Sequence, residues 1–404
     1  MIALPQDSKP ARASLLEVFV IFLRLGCISF GGPVAHLGYF RTEFVERRRW
    51  LNEEAFAEMI AIAQSLPGPA SSQTGYMIGI LRAGLPGGIA AWLGFTLPSA
   101  LLMLAFAFGH LLLAGKAGDA FLHGLQLVAV AVIAQAILAM QRSLAPDILR
   151  LAFAATAAII VLFTPASFGT LLAIALGAIA GFALVRSNDG PIQADFPINL
   201  SRTTGTCAAI AFSLLLAASL LFHTNRITSL SIFLRFSRTG ALVFGGGHVV
   251  LPLLENAIVA KGWIGQSAFL SGYGAAQALP GPLFTFAAYL GAAIQPHPHP
   301  LLFGLVALLA VFLPGLLLIT AVLPFWSAVR SRPSIRTALK GINASVVGVL
   351  IAALVRPVWT STVHTIADCC IVLIALALLT IWKLQPWIVV LGTAAICSLA
   401  AILR

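Results

Sequence analysis

Nine stretches of this sequence, at 85–115, 118–141, 148–163, 166–185, 203–222, 300–329, 342–355, 364–382 and 386–403, are apolar and nearly free of charge. Their lengths lie near or above the roughly 20 residues that carry a helix across a hydrocarbon core. A water-facing surface is out of reach for the same chain: 60% of its 404 residues are hydrophobic and 9% are charged, against roughly 25% charged in an average soluble domain. The expected fold is an all-α integral membrane protein with about 9–13 membrane segments. The start, "MIALPQDSKPARASLLE", is polar and leads into an apolar stretch broken by Arg24 without a small-residue cleavage site. A removable signal peptide is therefore not expected.

The chain is also written twice. "IAQSLPGPASSQTGY" from Ile62 to Tyr76 returns as "AAQALPGPLFTFAAY" from Ala275. At an offset of 214, "FLRLGCISFGG" pairs with "FSRTGALVFGG", aligning Arg24 with Arg238, and Gly31 and Gly32 with Gly245 and Gly246. At 213, Trp50 pairs with Trp263, Gln64 with Gln277, and Pro67-Gly68-Pro69 with Pro280-Gly281-Pro282. So long a period marks an internally duplicated transporter rather than a solenoid. The expected division is a first repeat over 14–186, a linker with one extra transmembrane helix over 187–227, and a second repeat over 228–404.

Charge gives the orientation, because cytoplasmic loops are rich in Lys and Arg. "FRTEFVERRRW" at 40–50 carries four Arg where its counterpart "ENAIVAKGW" carries one Lys, while "GKAGDA" at 115–120 is neutral where its counterpart "VRSRPSIRTALK" is strongly basic. Opposite bias in matching loops implies inverted-topology repeats. If the Gly-Gly and Pro-Gly-Pro segments are re-entrant, both basic loops and the N-terminus lie inside and the C-terminus outside. If each such segment crosses once, the later basic loop lies outside, against the bias.

Leu-Pro-Gly-Pro ends one half-helix and starts another at Pro69 or Pro282, since Pro lacks an N–H and fits a first helical position. Broken helices at membrane depth survive only when buried or lining a cavity. The free N–H groups near Ala70 and Ser71, or Leu283 and Phe284, carry partial positive charge suited to an anion. Gly31-Gly32 and Gly245-Gly246 repeat the device. The competing reading is that all four are kinks or tight helix crossings.

Arg24 and Arg238 each lie six or seven residues before a Gly pair in an apolar segment, where a charge is costly and functional by default, and a guanidinium fork suits two oxygens of an oxyanion. The competing reading is a snorkelling arginine. Gln64 and Gln277 offer neutral donors, and Ser71 and Ser72 in "SSQT" add hydroxyls that "LFTF" mostly lacks. The first half is thus expected to touch more of the substrate, and Arg24 to matter more than Arg238; alternatively these hydroxyls cap loose backbone. His36 and His248 are read as loop-facing, Trp50 and Trp263 as interface anchors, and Glu43, Glu46, Glu53 and Glu54 as a solvated face paired with arginines.

Other classes find little support. The five cysteines form no paired C-x-x-C spacing and read as small hydrophobes. His297 and His299 in "QPHPHP" are a weak metal signal, no nucleotide motif is present, and no nucleophile with a base is visible, so no metal, cofactor or enzymatic activity is expected. The net charge of +11 reads as the inside bias and affinity for anionic lipid, not as nucleic-acid binding.

The motifs "FLRLGCISFGGP" and "AQSLPGPASSQTGY", echoed by "FSRTGALVFGGG" and "AQALPGPLFTFAAY", resemble the chromate ion transporter family in its long, two-domain form, over nearly the whole chain. The resemblance implies a bacterial inner-membrane secondary transporter that exports chromate, coupled to the membrane potential or a proton gradient, and confers chromate resistance. The resemblance also extends to members that handle sulfate instead or have no demonstrated role in resistance. A passive anion channel is the alternative from another class. The oligomer is left open, a homodimer included. Pro33, where the second half has Gly247, departs from the internal repeat and stiffens the first hairpin.

Overall fold

The computed structural model describes residues 13–109, 115–164, 166–185, 200–222, 226–244, 247–294, 299–326 and 333–403. These form α-helices joined by short 3-10 and π turns, with no strand among the described residues. Five helices are long and apolar enough to cross a bilayer, over Ala70–Gly109, Lys116–Leu144, Arg202–Leu221, Pro300–Phe325 and Arg336–Thr362. The outer surface carries Leu101, Ile159, Phe182, Leu214, Leu305 and Ile374, while Phe22, Phe95, Phe236 and Phe312 fill the interior. Helices apolar on both faces belong in lipid, so this is a multi-pass membrane protein.

In the first repeat, α1 (Leu15–Ile28) starts at Ser14, whose hydroxyl accepts from the Glu17 N–H. The chain turns at Gly31 into α2 (Gly32–Arg41), which continues as a π turn, Thr42–Arg47. Phe22 lies 5.6 Å from Phe40 and 5.1 Å from Phe44, centroid to centroid. Arg48 returns to within 3.6 Å of Glu17. The chain therefore leaves this hairpin at the end where it entered. A second hairpin follows, from α3 (Glu53–Ser65) into α4 (Ala70–Gly109). Backbone angles at Ala83 and Gly84 are non-helical, which splits α4 into arms 70–82 and 85–109. Arg82, closing the first arm, lies 4.4 Å over the ring of Trp50, which precedes α3. Both hairpins return to the end at which they enter, the geometry the re-entrant reading requires, and the second arm of α4 then continues through the bundle.

α5 (Lys116–Leu144), α6 (Ile148–Phe163) and α7 (Ala166–Leu184) complete the first repeat. α8 (Arg202–Leu221), the unduplicated helix, packs against the helices Ser229–Leu242 and Pro300–Val322. Most of the expected linker, 186–199, lies outside the described residues.

The second repeat retraces the path with α9 (Ser229–Leu242), α10 (Val250–Leu254), α11 (Gln266–Ala278), α12 (Phe286–Ala293) and α13 (Pro300–Val322). In the middle of α12, the Tyr289 hydroxyl donates to the Ala268 carbonyl near the start of α11, at 2.9 Å. Thus α11 and α12 form another re-entrant hairpin. α13 gives the relation between repeats. It begins beside α12, with Phe303 and Ala307 on Gly291, and it leads to Trp326, whose indole N–H donates to Glu58 of α3 at 2.9 Å. Over about 35 Å of helix, it connects the end where the second repeat's hairpins enter to the end where the first repeat's enter.

The repeats are interleaved rather than side by side. α5 packs against α15 (Ile366–Thr380) and α16 (Pro386–Ile402), while its counterpart α14 (Pro333–Ala353) packs against α6 and α7. Gly181 meets Gly341, and Gly348 meets Ala154. Such small-residue contacts let helix backbones approach closely in lipid.

Candidate functional site

The hairpin tips meet in the interior. The Gly68 N–H donates to the Val243 carbonyl at 2.8 Å, and the Gly281 N–H donates to the Ser29 carbonyl at 2.8 Å. Gly68 and Gly281 are counterparts, and so are Ser29 and Val243, so one bond is made twice with the roles of the repeats exchanged. Both turns need glycine: φ is 129° at Gly68 and 91° at Gly281, a region that side chains disfavour. Space forbids a side chain too. A Cβ on Gly68 would come 3.1 Å from the Gly315 Cα, and one on Gly281 2.7 Å from Ser99 Oγ. Ser99 and Gly315 each follow a helix-internal proline, Pro98 and Pro314. Each Pro-Gly-Pro turn is therefore seated in the other repeat, and residues 67–69 and 280–282 are all buried.

Polar groups gather at these tips, mostly from the first repeat. The first turn of α4 buries Ser71, Ser72, Gln73 and Thr74. Gln73 Nε2 donates to Pro67 O at 2.8 Å and Gly315 O at 3.2 Å, and Thr74 Oγ1 donates to Ala70 O at 2.8 Å. For the Thr74 hydroxyl the backbone-capping reading holds. It does not hold for Ser71, whose Oγ lies 3.3 Å from His36 Nδ1, or for Ser72, whose Oγ has no partner. Ser29 Oγ, His36 Nε2, Thr96 Oγ1 and Gln277 Nε2 are likewise buried without partners, whereas buried polar atoms are normally satisfied. At the counterpart tip Phe284, Thr285 and Phe286 replace Ser71, Ser72 and Gln73; Thr285 Oγ1 is spent on Pro282 O at 2.8 Å and Phe284 packs on Phe312. The first intrahelical bond of α4 runs from Gln73 N to Pro69 O. The N–H groups ahead of it form the positive end of the helix beside these hydroxyls. Neutral donors at a helix start can hold the oxygens of an anion, and no metal-holding group of His, Cys, Asp and Glu occurs among the described residues.

The expected site residues thus fall into two sets. Pro67, Gly68, Pro69, Ser71 and Ser72 come together with Pro280, Gly281 and Pro282 at the buried tips, Gln277 lies one turn before its own tip, and Gly31 and Gly32 form the turn after Ser29 with Gly31 exposed. Arg24, Gln64 and Arg238 do not reach the tips, and Gly245 and Gly246 lie outside the described residues. Packing sets this division. α1 turns Phe22, Leu25 and Gly26 inward, and Gly26 sits so close to Phe95 that a Cβ would come 2.7 Å from its carbonyl oxygen. Arg24 is left exposed in a groove of about 550 Å³ with Thr42, Glu43 and Arg47. Gln64 is exposed while Ile62 and Ala63 are buried. Arg238 is half-buried and lines a cavity of about 460 Å³ walled by α7, α8 and α9.

Other expectations are corrected. His36 is buried on α2 rather than loop-facing, and His248 Nδ1 lies 2.8 Å from the Tyr273 hydroxyl. Trp263 is buried under Arg235, 4.7 Å from its ring, rather than set at an interface. Glu43 is buried too, accepting from Arg48 at 2.6 Å and Arg47 at 3.2 Å, whereas Arg41 bridges Glu46 and Glu53 in the exposed face expected. His297 lies outside the described residues. Glu58 went unremarked in the sequence; its signal was an acid inside the otherwise apolar 55–63, and its counterpart is Ser271.

The profile of the chromate transporter family matches residues 16–182 and again 230–398. The probable chromate transport protein of Synechococcus elongatus is 27% identical over 394 residues, 95% of each chain. The chromate transport protein of Pseudomonas aeruginosa is 29% identical over 350 residues, 85% of this chain and 81% of that one. That of Cupriavidus metallidurans is 26% identical over 394 residues, 96% and 93% respectively. No solved structure matches the chain.

Proposed function

The chain belongs to the chromate transporter family, a family of transport proteins rather than enzymes, and on that premise we propose that it carries chromate out of the bacterial cytoplasm across the inner membrane. The observation that supports this reading best is the reciprocal seating of the two Pro-Gly-Pro turns, Gly68 on Val243 and Gly281 on Ser29, with unspent donors gathered beside them. A tetrahedral dianion is held there by the start of α4, Ser71, Ser72, His36 and Gln277. The repeats, 14–186 and 228–404, are inverted in the membrane, with the Arg47–Arg49 end cytoplasmic, following the positive-inside bias. Each repeat rocks against the other, exposing the tips to one side at a time.

The buried tips favour a carrier over an open channel. Each seating bond contributes only about 1 kcal/mol net, small enough to open and reclose during turnover, and the membrane potential or a proton gradient drives the cycle outward. Sulfate has the same shape and charge and competes for the same donors. In everted vesicles the protein should accumulate labelled chromate, an uncoupler should collapse the gradient, and excess sulfate should slow uptake. Uptake no faster than in vesicles lacking the protein would reject chromate as cargo, and conductance too large for a carrier would return the channel.

A further inference from the structure

We propose that His36 binds a proton together with the oxyanion at the tips, so that each bound dianion brings one proton with it and the cycle moves one net negative charge instead of two. The inference rests on the reading of the tips as the oxyanion site and deepens it by naming the group that takes the proton.

The position of His36 carries the argument. The side chain, on α2, is 1% exposed and packs edge-on against Phe95, with ring centroids 5.3 Å apart. Nδ1 lies 3.3 Å from Ser71 Oγ at the start of α4, Nε2 has no partner within hydrogen-bond distance, and the Ser29 carbonyl stands beside the ring. That same carbonyl accepts from the Gly281 N–H of the other repeat. The imidazole therefore sits where the repeats join, one hydrogen bond from the helix start that faces the anion.

Charged and titratable groups on the elements around it are engaged elsewhere. On α2 and the π turn after it, Arg41 bridges Glu46 and Glu53, and Arg47 and Arg48 hold Glu43. On α1, Glu17 lies 3.6 Å from Arg48, and Arg24 lines its exposed groove together with Tyr39 of α2. On α4, the Tyr76 hydroxyl lies 3.0 Å from Thr320 Oγ1 and Arg82 lies over Trp50. From the second repeat, the turn Gly247–Val249 approaches Pro33, and its His248 is engaged by the Tyr273 hydroxyl. The groups that touch His36, namely Ser71, Phe95 and the Ser29 carbonyl, are neutral. An imidazolium in such surroundings needs a counter-charge, and a dianion at the start of α4 supplies it in close contact, where attraction is strongest.

Histidine is the side chain whose charge changes near neutral pH. A neutral ring has one N–H and a protonated ring has two. With both in place, Nε2 donates to the anion while Nδ1 donates to Ser71 Oγ, which turns the Ser71 O–H toward the anion as well. One proton thus makes donors of both groups. At offsets of 213 and 214 the counterparts of His36 are Val249 and Val250, apolar and buried, so the duplication supplies this group once. The coupling is reciprocal, the proton favouring the anion by the factor with which the anion favours the proton.

The test uses the purified full-length protein in detergent, with sulfate as the probe. Sulfate stays a dianion over the range in which an imidazole titrates, so a proton taken up on binding belongs to the protein. In calorimetric titrations from about pH 7.5 to about pH 5.5, sulfate affinity should rise as pH falls, by up to about tenfold per unit. Repeating them in buffers of different ionisation enthalpy should show uptake of up to about one proton per sulfate. His36→Gln should bind more weakly, with an affinity that no longer depends on pH and without proton uptake; His36→Asn covers the case in which the first variant does not fold. Ser72→Ala should weaken binding and keep the proton uptake. Absence of sulfate binding, or binding that Ser72→Ala leaves unchanged, rejects the tips as the site and the inference with them. A pH-independent affinity in the wild type overturns the role of His36 while the tip site stands. Proton uptake that survives in His36→Gln, as it would with His248 as the acceptor, overturns it in the same way.

Discussion

Arg24 and Arg238 occupy counterpart positions on α1 and α9, yet the first lies on an exposed groove beside Glu43 and the second in a half-enclosed cavity beside Ala257. The tips of the same two repeats, by contrast, make the same bond to one another twice. The difference follows from what each surface meets. A tip has the other repeat as its partner, so the backbone bond is kept on both sides while the side chains around it differ, Ser71 and Ser72 in one repeat against Phe284 and Thr285 in the other. An outer face meets lipid or other helices, and α8 packs against α9 and α13 of the second repeat. The duplicated turns therefore keep their backbone geometry where they touch each other, while their side chains diverge. Neither arginine reaches the tips, so the greater weight expected of Arg24 draws no support from its exposed position.

The contrast between the two ends can be broken most sharply by labelling. In a background without Cys27, Cys207, Cys369, Cys370 and Cys397, a single cysteine at 261 should react fully with a membrane-impermeant thiol reagent applied to cells. One at 48 should react only in everted vesicles. Labelling of both from the same side would end the two-ended arrangement. Next in size are Gly68→Ala and Gly281→Ala, each of which combines about 1–2 kcal/mol of backbone strain with about 1–3 kcal/mol of overpacking. Chromate flux at matched expression should fall at least about tenfold in both, and a tolerated substitution at one tip alone would show that the seating is not reciprocal in function. Arg24→Gln should lower flux less than about twofold, the exposed arginine keeping its water; a loss of about tenfold would restore Arg24 to the transport path.

The smallest effect concerns Glu43. Burial pushes its carboxyl up, but the hydrogen bonds and charges of Arg48 and Arg47 outweigh this and hold it below its ordinary value. A carboxyl lowered on folding contributes stability that is full above the ordinary value of 4.5 and is lost as pH falls through its folded value. Glu43→Gln should therefore cost about 1 kcal/mol near neutral pH, given the exposure of Arg47, with the gap in unfolding temperature closing in acid. A gap that persisted unchanged in acid would mean the carboxylate charge is not what the groove uses.

Much of the fold was legible because glycine and proline punctuate helices wherever they occur. The tips at Gly31-Gly32 and Pro67-Gly68-Pro69, their echoes and the re-entrant path all followed from that. The interleaving did not, since nothing local in Gly68 names Val243 as its partner. The outward turn of Arg24 was hidden for a related reason. In a soluble helix apolar spacing marks the inner face, but α1 is apolar on both faces, and only the contact of Gly26 with Phe95 sets its rotation. Ser71 and Ser72 could be read from composition, whereas the burial of His36 between them and Phe95 required the fold. The exchange of Glu43 for Ala257 lay open in the internal alignment and gained meaning only when both were found lining equivalent spaces.

The reciprocal seating also sets a timetable for the growing chain. Val243 is made 175 residues after Gly68, and Gly281 252 residues after Ser29. At about 5–20 residues per second, roughly 10 to 35 seconds pass before the first tip meets its partner. Throughout that interval the Gly68 N–H has no native acceptor, and an unpaired backbone group in hydrocarbon costs several kcal/mol. The first two hairpins are therefore expected to wait near the membrane surface or against the insertion machinery, reaching their final depth only when the second repeat has been made. The contact at the centre of the molecule cannot begin to form until more than half of the chain has been made.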